Sequence, residues 1–229
     1  ATAGVDVVLR GLTINNLGSS GSGIYMTAGN SLVVQNCVVT NFISASGLYA
    51  NSALRVHLLD SVLQGNAYGA GFLDGPTVLI SGSRFLDNLY SGVGASAGGT
   101  GVMTRVEVNR SVAAGNGGVG FYGYSHSGGR AELNVKDSVA TRNDTGVYVT
   151  SSGGTTLASA SNNLISGNTT NGLNAHGGGA KLVASGNKVT HNGTGLAQVA
   201  TAVLQTTGDN TVSDNTTAFT GTITPLVNM

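Results

Sequence analysis

The chain has 229 residues, ten basic and ten acidic side chains, one cysteine and no tryptophan. With 9% charged residues and no net charge it carries no basic field, so neither nucleic acid nor anionic lipid is expected as a partner. Cys37 alone excludes an intrachain disulfide, and no stretch reaches the ~20 apolar residues of a membrane span.

The chain opens at Ala1-Thr2-Ala3-Gly4 and enters an apolar, strand-like run at once. An amino-terminal cap is therefore expected to have been lost from in front of it. Asparagines then recur at Asn16, Asn41, Asn66, Asn88, Asn116, Asn143, Asn168, Asn192 and Asn215, in steps of 25, 25, 22, 28, 27, 25, 24 and 23 residues. A period in the twenties marks a stack of small units, none able to bury an apolar face alone. The unbroken repeat makes residues 1–229 a single domain. Residues 219–229 are expected to close or overhang the last turn.

Other positions keep phase with the asparagine. Five places earlier stand small or amide residues: Gly11, Asn36, Ser61, Ser83, Ser111, Ser138, Asn163, Asn187 and Asn210. Three places earlier runs an apolar row that includes Val38, Leu63, Phe85 and Ile165, and eight places earlier another with Val33, Leu58, Ile80, Val108 and Val135. After each asparagine a glycine precedes an apolar residue, as in Gly23-Ile24, Gly47-Leu48, Gly71-Phe72, Gly92-Val93 and Gly120-Phe121. Apolar positions alternate within each unit, as in Val106-Glu107-Val108, which signals short strands with one buried face. No 3.6-residue period is sustained. Three short strands per ~25 residues describe one turn of a parallel β-helix, with equal residues stacked about 4.8 Å apart. The asparagines are expected to turn the corners in left-handed backbone angles and to hydrogen-bond from coil to coil. The five Asn-x-Ser/Thr triplets, at Asn109, Asn143, Asn168, Asn192 and Asn215, follow from this pattern rather than from glycosylation.

Segments such as Ser111-Val112-Ala113-Ala114-Gly115-Asn116 and Ser161-Asn162-Asn163-Leu164-Ile165-Ser166-Gly167-Asn168 resemble the right-handed parallel β-helix repeat of the pectin-lyase-like superfamily. They are also similar to repeats of secreted bacterial β-helix proteins without an assigned activity. The resemblance spans roughly residues 5–220. It implies an all-β fold, a single-stranded right-handed parallel β-helix of about nine coils, and a secreted or cell-surface bacterial location. It also implies two activities: non-catalytic polysaccharide binding or adhesion, or the action of a polysaccharide lyase or glycoside hydrolase.

Chemistry-bearing residues are sparse. The ten acidic residues include no Asp-Asp or Asp-x-Asp pair, and His57, His126, His176 and His191 differ in phase. No catalytic set, metal site or cofactor is expected. Arg110 and Asp137, six places before their markers in adjacent coils, are expected to meet as a surface pair. The column after the Gly-apolar pair reads Tyr25, Tyr49, Leu73, Gly94, Tyr122, Tyr148, Asn174, Ala197. If the residue before each points inward, Tyr25, Tyr49, Tyr122 and Tyr148 face out and form a carbohydrate-binding row. The inward assignment predicts that Val108→Asp, which buries an unpaired charge, lowers stability by several kcal/mol. Unchanged thermal melting of that variant would refute it.

Overall fold

The structure, a computed structural model, describes residues 4–18, 20–52 and 54–226. These form 28 strands arranged in three parallel sheets of ten, nine and nine strands. One coil contributes one strand to each sheet. Met103–Asn109, Val112–Ala114 and Val119–His126 make up the fifth coil, for example, and enter the first, second and third sheets in turn. Nine coils stack in this way. Instead of closing the stack, Ile223–Pro225 pairs with Val203–Thr206 and extends the first sheet by another strand. The sequence beyond residue 226 lies outside the described residues. Among those described there is no helix, hence none long and apolar enough to cross a membrane.

Alternation does the packing. In Met103–Asn109 the side chains of Thr104, Val106 and Val108 are buried while Met103 and Glu107 face out. The interior is a column of small and branched residues punctuated by Phe72, Phe85 and Phe121, all fully buried. Burial of such side chains, at about 1.5–3 kcal/mol each, is the main source of stability.

Two polar ladders run through this interior at the corners. From Asn66 to Asn192 the marker asparagines are buried, and each bonds to the next coil. The Asn88 backbone N–H and its Nδ2 both donate to Asn116 Oδ1, at 3.1 and 2.9 Å, and Nδ2 donates also to the Leu63 carbonyl at 3.2 Å. The pattern repeats from Asn116 to Asn143, Asn168, Asn192 and Asn215. Between the first and second sheets a second ladder begins with the Cys37 N–H on Ser61 Oγ. It continues through Ser83, Ser111 and Ser138, then changes to Asn163, Asn187 and Asn210. A buried N–H must find an acceptor, and where the chain turns away from the sheet a side-chain oxygen of the next coil supplies it.

Two sequence expectations are corrected by these ladders. The left-handed residue is not the ladder asparagine but the one before it: Gly65, Asp87, Gly115, Arg142, Gly167, His191 and Asp214 all have φ between 50° and 70°. In addition, Asn41 (φ 68°) falls in this left-handed column, and Phe42 occupies the ladder position, its N–H donating to Asn66 Oδ1. The second coil is thus displaced by one residue from the phase of its asparagine. Val39 and Val34, not Val38 and Val33, pair with the inward Leu63 and Leu58. Val39 and Val34 are fully buried, and Val38 is 38% exposed.

The glycines before the inward apolar residues have a steric origin. A Cβ on Gly120 would sit 2.7 Å from the Gly146 carbonyl oxygen and 3.0 Å from Asn143 Nδ2. The same obstruction recurs at Gly47, Gly146 and Gly172, while at Gly92 the Gly120 carbonyl oxygen and the Cβ atoms of Phe85 and Ala113 fill the space. Asparagine ladder and glycine column are therefore one device: the amide occupies the space that a side chain would need. Replacing Asn116 by Ala would leave the Asn88 N–H without its acceptor and take one donor from the Phe85 carbonyl. A loss of ~2–4 kcal/mol is expected from urea unfolding, and an unchanged midpoint would argue against the ladder's role.

Candidate functional site

The outward face of the third sheet concentrates the aromatic side chains. Tyr25 pairs in register with Tyr49, and Tyr122 with Tyr148. Because like residues lie one coil apart, their rings stack. Centroids are 5.2 Å apart with planes 13° from parallel for Tyr25 and Tyr49, and 5.6 Å apart at 27° for Tyr122 and Tyr148. Such offset stacks contribute about 0.5–1.5 kcal/mol beyond area burial. Tyr25 is 65% exposed and the other three are partly covered.

Sequence phase misassigned one member of this column. Phe72 pairs with Ala50 and Ala95, so the inward Gly-apolar pair of the third coil is Gly69-Ala70. Gly71, not Leu73, therefore stands between Tyr49 and Gly94. The column reads Tyr25, Tyr49, Gly71, Gly94, Tyr122, Tyr148, Asn174, Ala197.

The structure adds aromatic groups that the column did not contain. Tyr124 stacks on Tyr122 at 6.1 Å and on His126 at 5.4 Å, and Tyr148 Oη lies 3.0 Å from His176 Nδ1. Tyr68 and Tyr90 pack against each other with centroids 5.0 Å apart and planes tilted by 34°, along the corner that leads into the sheet. The alternation of Tyr122, Tyr124 and His126 along one strand was a readable signal for the first group. Tyr68 and Tyr90 both stand two places after a marker asparagine, Asn66 and Asn88, so this phase too carried a readable signal. Burial among neighbouring rings pushes the Tyr122 phenol up to about 12, with Tyr148, Tyr124 and Tyr68 adding to the effect. It stays a neutral donor across the physiological range.

Two adjoining cavities open here. One, of about 240 Å³, lies between Tyr49 and Tyr122 over Ala70, Gly71 and Gly94; the other, of about 260 Å³, runs past Tyr68, Tyr90, Tyr122 and Tyr148. No charged side chain lines either one. Flat apolar rings edged by phenol and serine hydroxyls suit a neutral ligand that is itself part apolar and part hydroxylated.

The charged groups lie elsewhere. On the first sheet Glu132 receives Arg105 Nε at 2.6 Å and Arg130 Nη2 at 2.7 Å. The hydrogen bond from Arg105 holds its carboxyl below the ordinary carboxylate range; burial opposes this, and the hydrogen bond from Arg130 adds to the lowering. The expected meeting of Arg110 with Asp137 does not occur. Arg110 Nη2 donates to Ser81 Oγ at 3.2 Å, and the Asp137 carboxylate lies 3.9 Å from Lys136 Nζ. Both residues occupy left-handed corner positions, with φ of 47° and 50°, whose side chains project into solvent. Among the described residues no three His, Cys, Asp or Glu side chains converge as metal ligands. Asn143, Asn168 and Asn192 are buried in the ladder, which withholds those three triplets from any glycan.

The family described as the right-handed beta helix region matches residues 2–161, well over half of the chain. The protein belongs to that family, and its coils are those of a right-handed parallel β-helix. No curated protein and no solved structure gives a match.

Glu132 supplies a pH test of the first sheet. Its lowered carboxyl contributes stability above its unfolded value near 4.3, and that contribution is lost as pH falls through the folded value. Glu132→Gln is expected to cost ~0.5–1 kcal/mol at neutral pH, since both arginines are well exposed, and nothing at pH values well below 4. A difference that persists in acid would exclude the ion pair as its cause.

Proposed function

We propose that this β-solenoid binds a polysaccharide without cleaving it, at the outward face of its third sheet, and acts outside the bacterial cell or on its surface. The observation that carries this reading is the aromatic face itself. Tyr25, Tyr49, Tyr122 and Tyr148 stand in one column beside an uncharged, ring-walled pair of cavities. Sugar rings have C–H faces that pack on aromatic rings and hydroxyl edges that exchange hydrogen bonds with phenols. A rigid solenoid holds those contacts at fixed spacing without an ordering cost on binding.

The non-catalytic half rests on the carboxylates. Hydrolysis of a glycosidic bond uses two carboxyl groups facing each other across it. Glu132, the most firmly held acid on a sheet face, is neutralised by two arginines and kept ionised, which suits an anchor better than a proton donor. The extracellular placement follows from the ligand class and from the bacterial repeat proteins that the sequence resembles.

The test is glycan-array binding of the wild type and of a Tyr49→Ala, Tyr148→Ala variant. The wild type is expected to bind, and the double variant to lose about 1–3 kcal/mol of affinity, roughly tenfold or more. Equal binding by both would remove the tyrosine face. Unsaturated sugar products from pectin or alginate, seen as rising ultraviolet absorbance, would put a lyase in place of a binder.

A further inference from the structure

Two glycines on the third sheet stand where the fold does not require glycine. Gly71 and Gly94 occupy the tyrosine column, in extended backbone without positive φ. A Cβ on Gly71 would meet Leu73, Ser46 and Tyr49 at 3.5, 3.7 and 3.8 Å. On Gly94 it would find nothing nearer than the Ala70 carbonyl oxygen at 4.0 Å. These are ordinary distances, unlike the 2.7 Å collision at Gly120. The third and fourth coils carry their tyrosines at the corner instead. Tyr68 and Tyr90 stand there with ring centroids 5.0 Å apart. The coils on either side are small at that corner: Ser46 pairs in register with Tyr68, and the Gly118 N–H donates to the Tyr90 carbonyl.

Column and corner are therefore complementary. Where the column bears Tyr49 and Tyr122 the corner is small, and where the corner bears Tyr68 and Tyr90 the column is bare. The bare stretch also has the length of the ring pair. Tyr49 and Tyr122 are three coil steps apart, about 14 Å, which leaves two places at coil spacing. Tyr68 and Tyr90 lie one coil step from each other. Over the bare stretch opens the 240 Å³ cavity above Ala70, Gly71 and Gly94, which Tyr68 borders and no charged side chain lines.

We infer that this face pairs with the same face of a second copy, the two solenoids lying side by side with parallel axes. A two-fold axis parallel to the solenoids, placed between corner and column, keeps every coil at its own level and exchanges corner with column. Tyr68 and Tyr90 of each copy then seat on Gly71 and Gly94 of the other. The small corners at Ser46 and Gly118 receive Tyr49 and Tyr122. An isologous interface requires this arrangement, since each projection and its seat must sit on one chain at matched heights. The available surface is sufficient. Tyr25, Ile43, Tyr68, Leu89 and Tyr90 are 44–71% exposed along this edge. From the full burial of such side chains, their exposed parts come to roughly 300–550 Å². That range brackets the apolar share, about 450 Å², of the ~800 Å² that each partner gives to a standard interface. The pairing goes beyond the polysaccharide reading and regulates the same site. A glycan lying on the column excludes the second copy, so the two compete by mass action.

Sedimentation equilibrium of the wild type, without sugar, is expected to show monomers in exchange with dimers. Gly94→Tyr, which fills the seat, is expected to weaken dimerisation by about tenfold or more while the melting temperature holds. Tyr90→Ala, which only shortens an exposed side chain, is expected to do the same and keeps the test open should the first variant not fold. Both changes in one chain restore the fit at that level, because the filled column meets an emptied corner, and are expected to recover most of the association. A wild type that stays monomeric to millimolar concentration would overturn the pairing. So would growth into longer polymers, which the open strand edges at the ends of the stack would give. A single variant that dimerises as well as the wild type, or a double variant no better than the weaker single one, would overturn the contact. Any glycan that the wild type binds on the array is expected to shift the equilibrium toward monomer, and a dimer that survives saturation would overturn the competition. Because association is read without sugar, its failure and the failure of the polysaccharide reading are separate results.

Discussion

The fold depends on how a sharply turning chain disposes of its buried corner amides. In a flat parallel sheet each N–H meets a carbonyl of the neighbouring strand. At a corner of the coil the backbone rotates away, and an N–H left unpaired in the interior would cost about 1–3 kcal/mol. Asparagine and serine side chains of the next coil take the carbonyl's place, as where Asn143 Oδ1 receives the Asn116 N–H and Nδ2 together. The solution recurs at every level from Asn66 to Asn215 and along the serine–asparagine corner from Ser61 to Asn210. Each rung fixes the register of the next coil, and the buried faces align as a result. Satisfied networks of this kind reinforce one another in a low-dielectric interior.

That same requirement explains what could be read in the residues and what could not. The period was legible because a buried amide acceptor is needed once per coil and few residues supply it. The sheet alternation was legible for the same kind of reason, since every coil must present the same inward positions. Phase was less secure. Asn41 looks like its fellows but stands at the left-handed position, because Phe42 already fills the ladder site at the start of the series. An asparagine can serve either role, turning a corner or paying its hydrogen-bond debt, and only the pairing partners distinguish them. The same ambiguity hid Gly71: Gly69-Ala70 and Gly71-Phe72 have the same pattern, and the register alone assigns the first to the inward column.

The site was legible to a similar depth. A column of tyrosines at coil spacing follows from alternation. Its stacking does not, and stacking decides which ring faces remain for a ligand. Tyr68 and Tyr90 share one phase, two places after Asn66 and Asn88, but the same place holds Gly118, Thr145 and Thr170 in the next coils, so two tyrosines there did not stand out as a row. The Arg110–Asp137 expectation failed for a related reason. Adjacent coils bring Cα atoms together, but the long Arg110 side chain reaches Ser81 in the preceding coil while Asp137 lies beside Lys136 of its own coil. Proximity in a stack is a statement about backbones first.

A further consequence follows from the uniform rungs. Every coil offers the one above it the same pattern of donors and acceptors that it received from the one below. Such an object resembles a zip fastener more than a vault: its interfaces are interchangeable, and its length is a free variable. Duplication or excision of a whole coil would leave matching teeth on either side. Recognition surfaces on such a scaffold can therefore be widened, narrowed or moved by changing the number of coils, without redesigning the core.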